Sequence, residues 1–260
     1  MTIAAGVVCS DGIILCADTE HSDGESTYQR NKVLSFGDDL IVTGAGNHAL
    51  IRMMFDKVCD EFKSAHPVNP SDAREILEKV ARAVHREHIF EFYQANDPGR
   101  PSVELIVGVK CSNGKLALLK TIDSTAYLSE AYEVTGIGHS MFEYWLAYLY
   151  RSNLNMDAMA YLAFFMLKEV KKTRENCGGY SVVRKIPSSE FKGPKLLYGY
   201  DGRTMADFPD SVCSILSVIT DFSVSDQWLK EKLEEFSNHV MAVRHAEKTA
   251  QEERDRIKWQ

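Results

Sequence analysis

The chain opens on a strand, a tight turn and a second strand, and this limits what can follow. Ile3–Cys9 is short and apolar and ends at Ser10-Asp11-Gly12, a turn signal of the Asp-Gly kind; residues 13–17 then return as a second strand. A hairpin turning at Asp11-Gly12 pairs Thr2 roughly with the region just beyond Asp18. A threonine in such a place is ordinarily a strand or surface residue. Thr2, however, directly follows Met1, and a small second residue favours removal of that methionine. The new terminus would then carry a hydroxyl able to attack a carbonyl and a free α-amine able to take the hydroxyl's proton. The reference pKa of such an amine, about 7.7–8.0, leaves an appreciable neutral fraction near pH 7.

Lys32-Val33-Leu34-Ser35-Phe36 reads as a further strand, followed by a turn at Gly37-Asp38-Asp39 and a returning strand over residues 40–43. Gly44-Ala45-Gly46 leads from there into a helix, and backbone N–H groups at such a glycine-rich turn are natural donors to a developing oxyanion. Leu50, Met54, Val58 and Phe62, four apart, predict a helix over residues 47–64. Asn69-Pro70-Ser71-Asp72 starts a second helix with Ile76, Val80 and Val84 on one face, expected to end near Asp97-Pro98-Gly99. Residues 103–110 and 116–122 form a hairpin across Cys111-Ser112-Asn113-Gly114, and residues 132–135 form a short strand before Gly136-Ile137-Gly138. Two more helices are expected over residues 139–150 and 156–172. Sheets built from hairpins, each followed by a helix pair, make a layered α+β arrangement.

Thr2, the run Gly12-Ile13-Ile14-Leu15-Cys16-Ala17-Asp18, and the block from Lys32-Val33-Leu34-Ser35-Phe36 through Gly44-Ala45-Gly46 together carry a family signature. On these residues the chain resembles a proteasome β-type subunit, one of the N-terminal nucleophile hydrolases, of a divergent or bacterial type. The last block fits without a gap, and weaker similarity reaches Gly178-Gly179, about two-thirds of the chain. The resemblance implies a four-layer αββα sandwich, assembly into stacked homo-oligomeric rings, no cofactor or metal, and a peptide or unfolded-protein substrate. An ATP-dependent unfoldase or other subunits are further candidate partners. It implies Thr2 as nucleophile with its own amine as base, cleaving peptides through an acyl-enzyme. Lys32 would depress the amine's pKa, Asp18 would orient Lys32, and Gly46 would supply the oxyanion N–H. His21, Arg30, Gly44, His48 and Arg52 stand where the family lines its pocket for the residue preceding the cut. Two arginines and two histidines there favour an acidic side chain by charge pairing.

The supporting positions depart from the family pattern. A serine is expected inside Gly136-x-Gly138, where Ile137 stands; an aspartate is expected at Arg174, and a serine at Cys177. Such groups normally hydrogen-bond around the nucleophile's amine and hydroxyl, and losing them lowers rates by orders of magnitude even when the nucleophile remains. Three functional classes therefore stand open. The first is a threonine peptidase in a self-compartmentalised ring. The others are a non-catalytic ring or scaffold subunit, and an amidase for a small substrate on the same nucleophile.

The net charge of −7 argues against a nucleic-acid or anionic-membrane partner. The chain begins in a strand, so no secretory leader is expected, and no apolar run is long enough to span a bilayer. Six cysteines without a Cys-x-x-Cys pair suggest free thiols and a cytoplasmic protein. Residues 1–225 are read as the hydrolase domain, with residues 185–212 as an insertion or extended loop. Trp228, Leu229, Leu233, Phe236, Val240 and Val243 continue as a heptad seam, so residues 226–260 are read as a C-terminal helical extension. His85 and His88 have metal-ligand spacing but no third ligand, and neither Gly44-x-Gly46 nor Gly136-x-Gly138 has a nucleotide fingerprint. Cys177 beside Gly178-Gly179 reads as a small buried cysteine rather than a thiol nucleophile.

Overall fold

The structure is a computed structural model that describes residues 2–22, 26–174 and 176–188. Strand β1 (Ile3–Cys9) pairs antiparallel with β2 (Gly12–Asp18), Ala4 facing Ala17 and Cys9 facing Gly12, so the Asp11-Gly12 turn sets the register. A two-stranded ribbon follows, β3 (Glu20–Ser22) with β4 (Thr27–Gln29). Then come β5 (Leu34–Phe36), β6 (Leu40–Gly46), α1 (His48–Ala65) and α2 (Pro70–His85). The rest is β7 (Val103–Lys110), β8 (Leu116–Ile122), β9 (Thr125–Ser129), β10 (Tyr132–Gly136), α3 (His139–Leu149), α4 (Met156–Thr173) and β11 (Ser181–Pro187).

These strands form two antiparallel sheets, ordered β10-β1-β2-β11 and β5-β6-β7-β8-β9. The period-two alternation of strands explains how they stack. Ile41, Ile106 and Leu118 of one sheet meet Ala4, Ile13, Leu15 and Ala17 of the other in a buried layer completed by Val33 and Ile186. Their neighbours Leu40, Val42, Leu105, Val107, Ala117 and Leu119 point the other way, into a second core filled by Met54, Phe55 and Val58 of α1 and Leu77, Val80 and Val84 of α2. On the opposite side α3 and α4 cover the four-stranded sheet, through Phe142 and Leu146 of α3 and Met159, Ala163, Phe164 and Leu167 of α4. The result is the expected αββα sandwich. Each fully buried Leu or Ile contributes about 1.5–3 kcal/mol relative to exposure, so the layers are held mainly by these faces.

Local chemistry sets the helix starts. The Asn47 side chain accepts from Ala49 N and Leu50 N, capping α1. Asn69 and Asp72 form a reciprocal capping box at α2, with Pro70 at its first turn. The second helix stops earlier than expected. It passes into a π turn at Arg86–Phe90, and Asp97 then accepts from Gln94 N, so its side chain organises the loop ahead of Pro98 and Gly99.

Three strand features escaped the sequence reading: the β3–β4 ribbon, β9, and β11. The last corrects part of the expected loop, because residues 185–187 pair with residues 12–14 at the edge of the first sheet. The remainder of that loop beyond residue 188 and the C-terminal extension, residues 226–260, lie outside the described residues. Among the described residues no helix is long and apolar enough to cross a membrane.

Candidate active site

Thr2 enters β1 at the sheet end where Asp18 leaves β2, and Lys32 arrives just ahead of β5. All three are buried, Asp18 completely. Thr2 Oγ1 donates to Asp18 Oδ1 at 2.6 Å and accepts from Lys32 Nζ at 2.5 Å. Lys32 Nζ also donates to Asp18 Oδ1 at 2.8 Å, closing a three-membered network. Two backbone donors complete the carboxylate: Ile3 N reaches Oδ1 at 3.1 Å, and Gly178 N reaches Oδ2 at 3.2 Å. Asp18 is thus fully buried and accepts four hydrogen bonds, which is what a buried charge requires. Burial pushes the Lys32 ammonium below its ordinary pKa, and the Asp18 charge opposes that shift.

Two glycines are required by how closely backbone approaches. Gly46, at φ +112°, would place a Cβ 2.1 Å from Ser102 O. Gly136, at φ +95°, would place one 2.2 Å from Thr2 O, and the neighbouring Ile137 N donates to Thr2 O at 2.9 Å. Position 137, expected to hold a serine in this family pattern, therefore contacts Thr2 through its backbone, while its side chain is 40% exposed. Arg174 caps the end of α4 and its side chain is exposed. Cys177 is buried, and burial raises its pKa to about 11, keeping it a neutral thiol at pH 7.

The five pocket residues are not brought together equally. A narrow pocket of about 50 Å³ beside Thr2 and Lys32 is lined by His21, Gly44 and His48, with Ile51 at its wall. The His21 and His48 rings meet edge to face with centroids 4.9 Å apart. Arg30 Nη1 donates to His48 Nε2 at 2.5 Å, and the guanidinium stands 5.8 Å from the Tyr28 ring centroid. Burial pushes His21 down to about 4 and lowers His48 as well, so both imidazoles are neutral near pH 7. Lys32 is the cation in this lining; Arg30 is outside it and touches the pocket through His48. Arg52 does not line this pocket; it pairs with Asp56 one turn along α1, and both side chains are more than half exposed. A much larger cleft of about 540 Å³ opens on the other side of Thr2, and Thr2, Ala45 and Gly46 border both spaces.

The family model for proteasome subunits matches residues 2–185. The chain belongs to the proteasome subunit family. Its fold is similar to that in "Helical Assembly of the Anbu Complex from Pseudomonas aeruginosa", at 14% identity and TM-score 0.69, covering 83% of this chain and 94% of that one. It is also similar to Anbu (ancestral beta-subunit) from Yersinia bercovieri, at 14% identity and TM-score 0.66 over 84% and 96% of the two chains. A third likeness is to an Anbu (Gly-1) mutant from Hyphomicrobium sp. strain MC1, at 14% identity and TM-score 0.64 over 86% and 100%. No curated protein matches the chain.

In this proteasome-family chain the sequence reading missed two supports of the site. One is the Gly178 N–H to Asp18. The other is Lys171, whose Nζ donates to Gly179 O at 2.9 Å and to Ser181 Oγ at 2.8 Å, tying α4 to the loop that carries Gly178. Burial pushes Lys171 down to about 8. Its sequence signal, the Lys171-Lys172 pair in a last helical turn, is indistinguishable from ordinary charge placement against the helix dipole. His85, half of the candidate metal pair, is buried with Nδ1 donating to Ala81 O at 2.9 Å, an internal helix contact.

Proposed function

We propose that the chain is a threonine-type peptidase in which removal of Met1 frees the Thr2 α-amine. The observation that carries this reading is the buried Thr2–Asp18–Lys32 network, with the Thr2 hydroxyl in contact with both a carboxylate and an ammonium. The freed amine takes the proton from Oγ1, and Oγ1 attacks the carbonyl carbon of the scissile amide. Lys32, 2.5 Å from Oγ1, stabilises the developing alkoxide and disfavours protonation of the amine. The tetrahedral oxyanion points to Gly46 N–H, a donor fixed in place by a backbone no other residue adopts without strain. Collapse breaks the C–N bond, the leaving amine takes the proton held by the Thr2 ammonium, and an ester on Oγ1 remains. Water activated by the same amine then hydrolyses it.

The narrow pocket, with Lys32 in its lining and Arg30 held against His48, suits a short acidic side chain before the cut. Membership of the proteasome family supports a homo-oligomeric compartment in the cytoplasm that admits unfolded chains, with an unfoldase as partner. One similar structure is described as a helical assembly, so a helical arrangement competes with a closed ring for this chain.

Intact mass of the assembled protein tests the reading at its first step. Loss of Met1 is expected, followed by a single acyl adduct mapping to Thr2 on exposure to a peptide-derived activated ester. Retained Met1 with no adduct would instead identify the non-catalytic scaffold, a reading favoured by Ile137 and Arg174 at the family's serine and aspartate positions. The rate of peptide cleavage should rise with pH through an amine pKa below the reference of about 7.7–8.0, because the Lys32 charge stands beside it. It should fall again when Lys32 loses its proton, at a pH below the ordinary lysine value of 10.5, because burial favours the neutral form. Lys32→Arg should remove that alkaline limb, since a guanidinium stays protonated throughout.

A further inference from the structure

The wide cleft on the far side of Thr2 carries a carboxylate in its lining, whereas the narrow pocket has none. It is lined by Glu104, Lys120, Thr135 and His139, together with Thr2 and Gly46. Glu104 lies on β7 directly across from Ala45, the residue before Gly46. Its Oε2 accepts from Thr135 Oγ1 at 2.6 Å, and Thr135 precedes the Gly136 that packs against Thr2 O. A short chain of contacts therefore fixes the carboxylate relative to the nucleophile. Lys120 does not cancel it. Its ammonium donates to Val134 O at 2.9 Å and stands 3.8 Å from Glu104 and 3.7 Å from Glu133, so one positive charge is shared between two carboxylates. Glu133 is further engaged by the Tyr127 hydroxyl at 2.9 Å. Among the described residues Glu104 Oε1 accepts no hydrogen bond, and the side chain is 39% exposed to the cleft.

We propose that Glu104 is the specificity-determining residue for the position following the scissile bond, and that it selects a basic side chain there. This rests on Thr2 being the nucleophile. An acyl group held on Oγ1 with its side chain in the narrow pocket leaves only the opposite cleft for the departing amine and its side chain. The cleft is roomy enough for lysine or arginine, and a flexible cation can reach Oε1 without displacing the Thr135 hydroxyl. The preferred substrate accordingly joins an acidic residue to a basic one across the cut, matched to Lys32, with Arg30 behind His48, on one side of Thr2 and Glu104 on the other.

The test uses the assembled full-length chain and three peptides that differ only in the residue after an aspartate: lysine, glutamine or glutamate. A partly exposed ion pair contributes up to about 1 kcal/mol, so cleavage of the lysine peptide should exceed that of the glutamate peptide by roughly fivefold in kcat/KM. Glu104→Gln should shrink that ratio toward one, and Glu104→Lys should reverse it. Cleavage of all three peptides at equal rates would overturn the assignment while leaving Thr2 as nucleophile. Binding of the same peptides to a Thr2→Ala protein decides the matter without turnover. Lysine-peptide affinity roughly fivefold above glutamate-peptide affinity is expected, and equal affinities would sink the assignment. Preference in binding combined with no cleavage by the unsubstituted protein would keep the Glu104 assignment and reject the nucleophile.

Discussion

Thr2→Ala is expected to abolish peptide cleavage, a loss on the order of 10⁴- to 10⁶-fold in kcat, while leaving the fold intact. The separation of these effects follows from the geometry. Alanine removes Oγ1, the only atom that makes the attack, but the Lys32–Asp18 pair at 2.8 Å survives without it. Ile3 N and Gly178 N still donate to the carboxylate. The lost hydroxyl bonded to a carboxylate and an ammonium that keep their other partners, so stability should fall by about 1.5–3 kcal/mol. Thr2→Ser keeps the hydroxyl and the amine and should retain measurable turnover. Matched peptide assays and thermal unfolding check both halves. Unchanged turnover in Thr2→Ala would remove Thr2 from the mechanism altogether.

Asp18→Ala should be the more damaging change to stability. The Lys32 side chain is 6% exposed and Asp18, fully buried, is the counter-ion it meets at 2.8 Å. Removing the carboxylate leaves a buried ammonium and two backbone N–H groups facing a void, a loss of about 3–5 kcal/mol for one broken partner. Lys32→Met should cost less, because Asp18 retains the Thr2 hydroxyl and two backbone donors. In the double variant Asp18→Ala with Lys32→Met, the total should fall well short of the sum of the single changes, because neither side leaves an unpaired charge. Urea unfolding of the four proteins measures this coupling. An Asp18→Ala cost below about 1 kcal/mol would mean that the pair is hydrated rather than buried.

The first eighteen residues were readable because their information is local. An Asp-Gly turn between two apolar runs defines one register, and that register carries Thr2 and Asp18 to the same sheet end. The apolar faces of α1 and α2 were visible for the same reason: Met54, Val58, Val80 and Val84 recur with the period of the helix that buries them. Short elements were not visible. The β3–β4 strands are three residues each and β4 is exposed along its length, so neither leaves a hydrophobic pattern, yet this ribbon carries His21 to the pocket. Arg52 shows the converse. Its place in the chain suggested the pocket, but one helical turn directs it to Asp56 and solvent.

What the sequence determined alone is the identity of the reacting groups and their strand-level placement, since turn chemistry and periodicity act over a few residues. What only the tertiary structure decided is their electrostatic setting. Gly178 N–H comes from 160 positions beyond Asp18, Glu104 and Thr135 meet across different sheets, and burial leaves His21 neutral near pH 7. Desolvation and Coulomb interactions depend on distance through space, and distances between residues far apart in the chain exist only once the two sheets have packed.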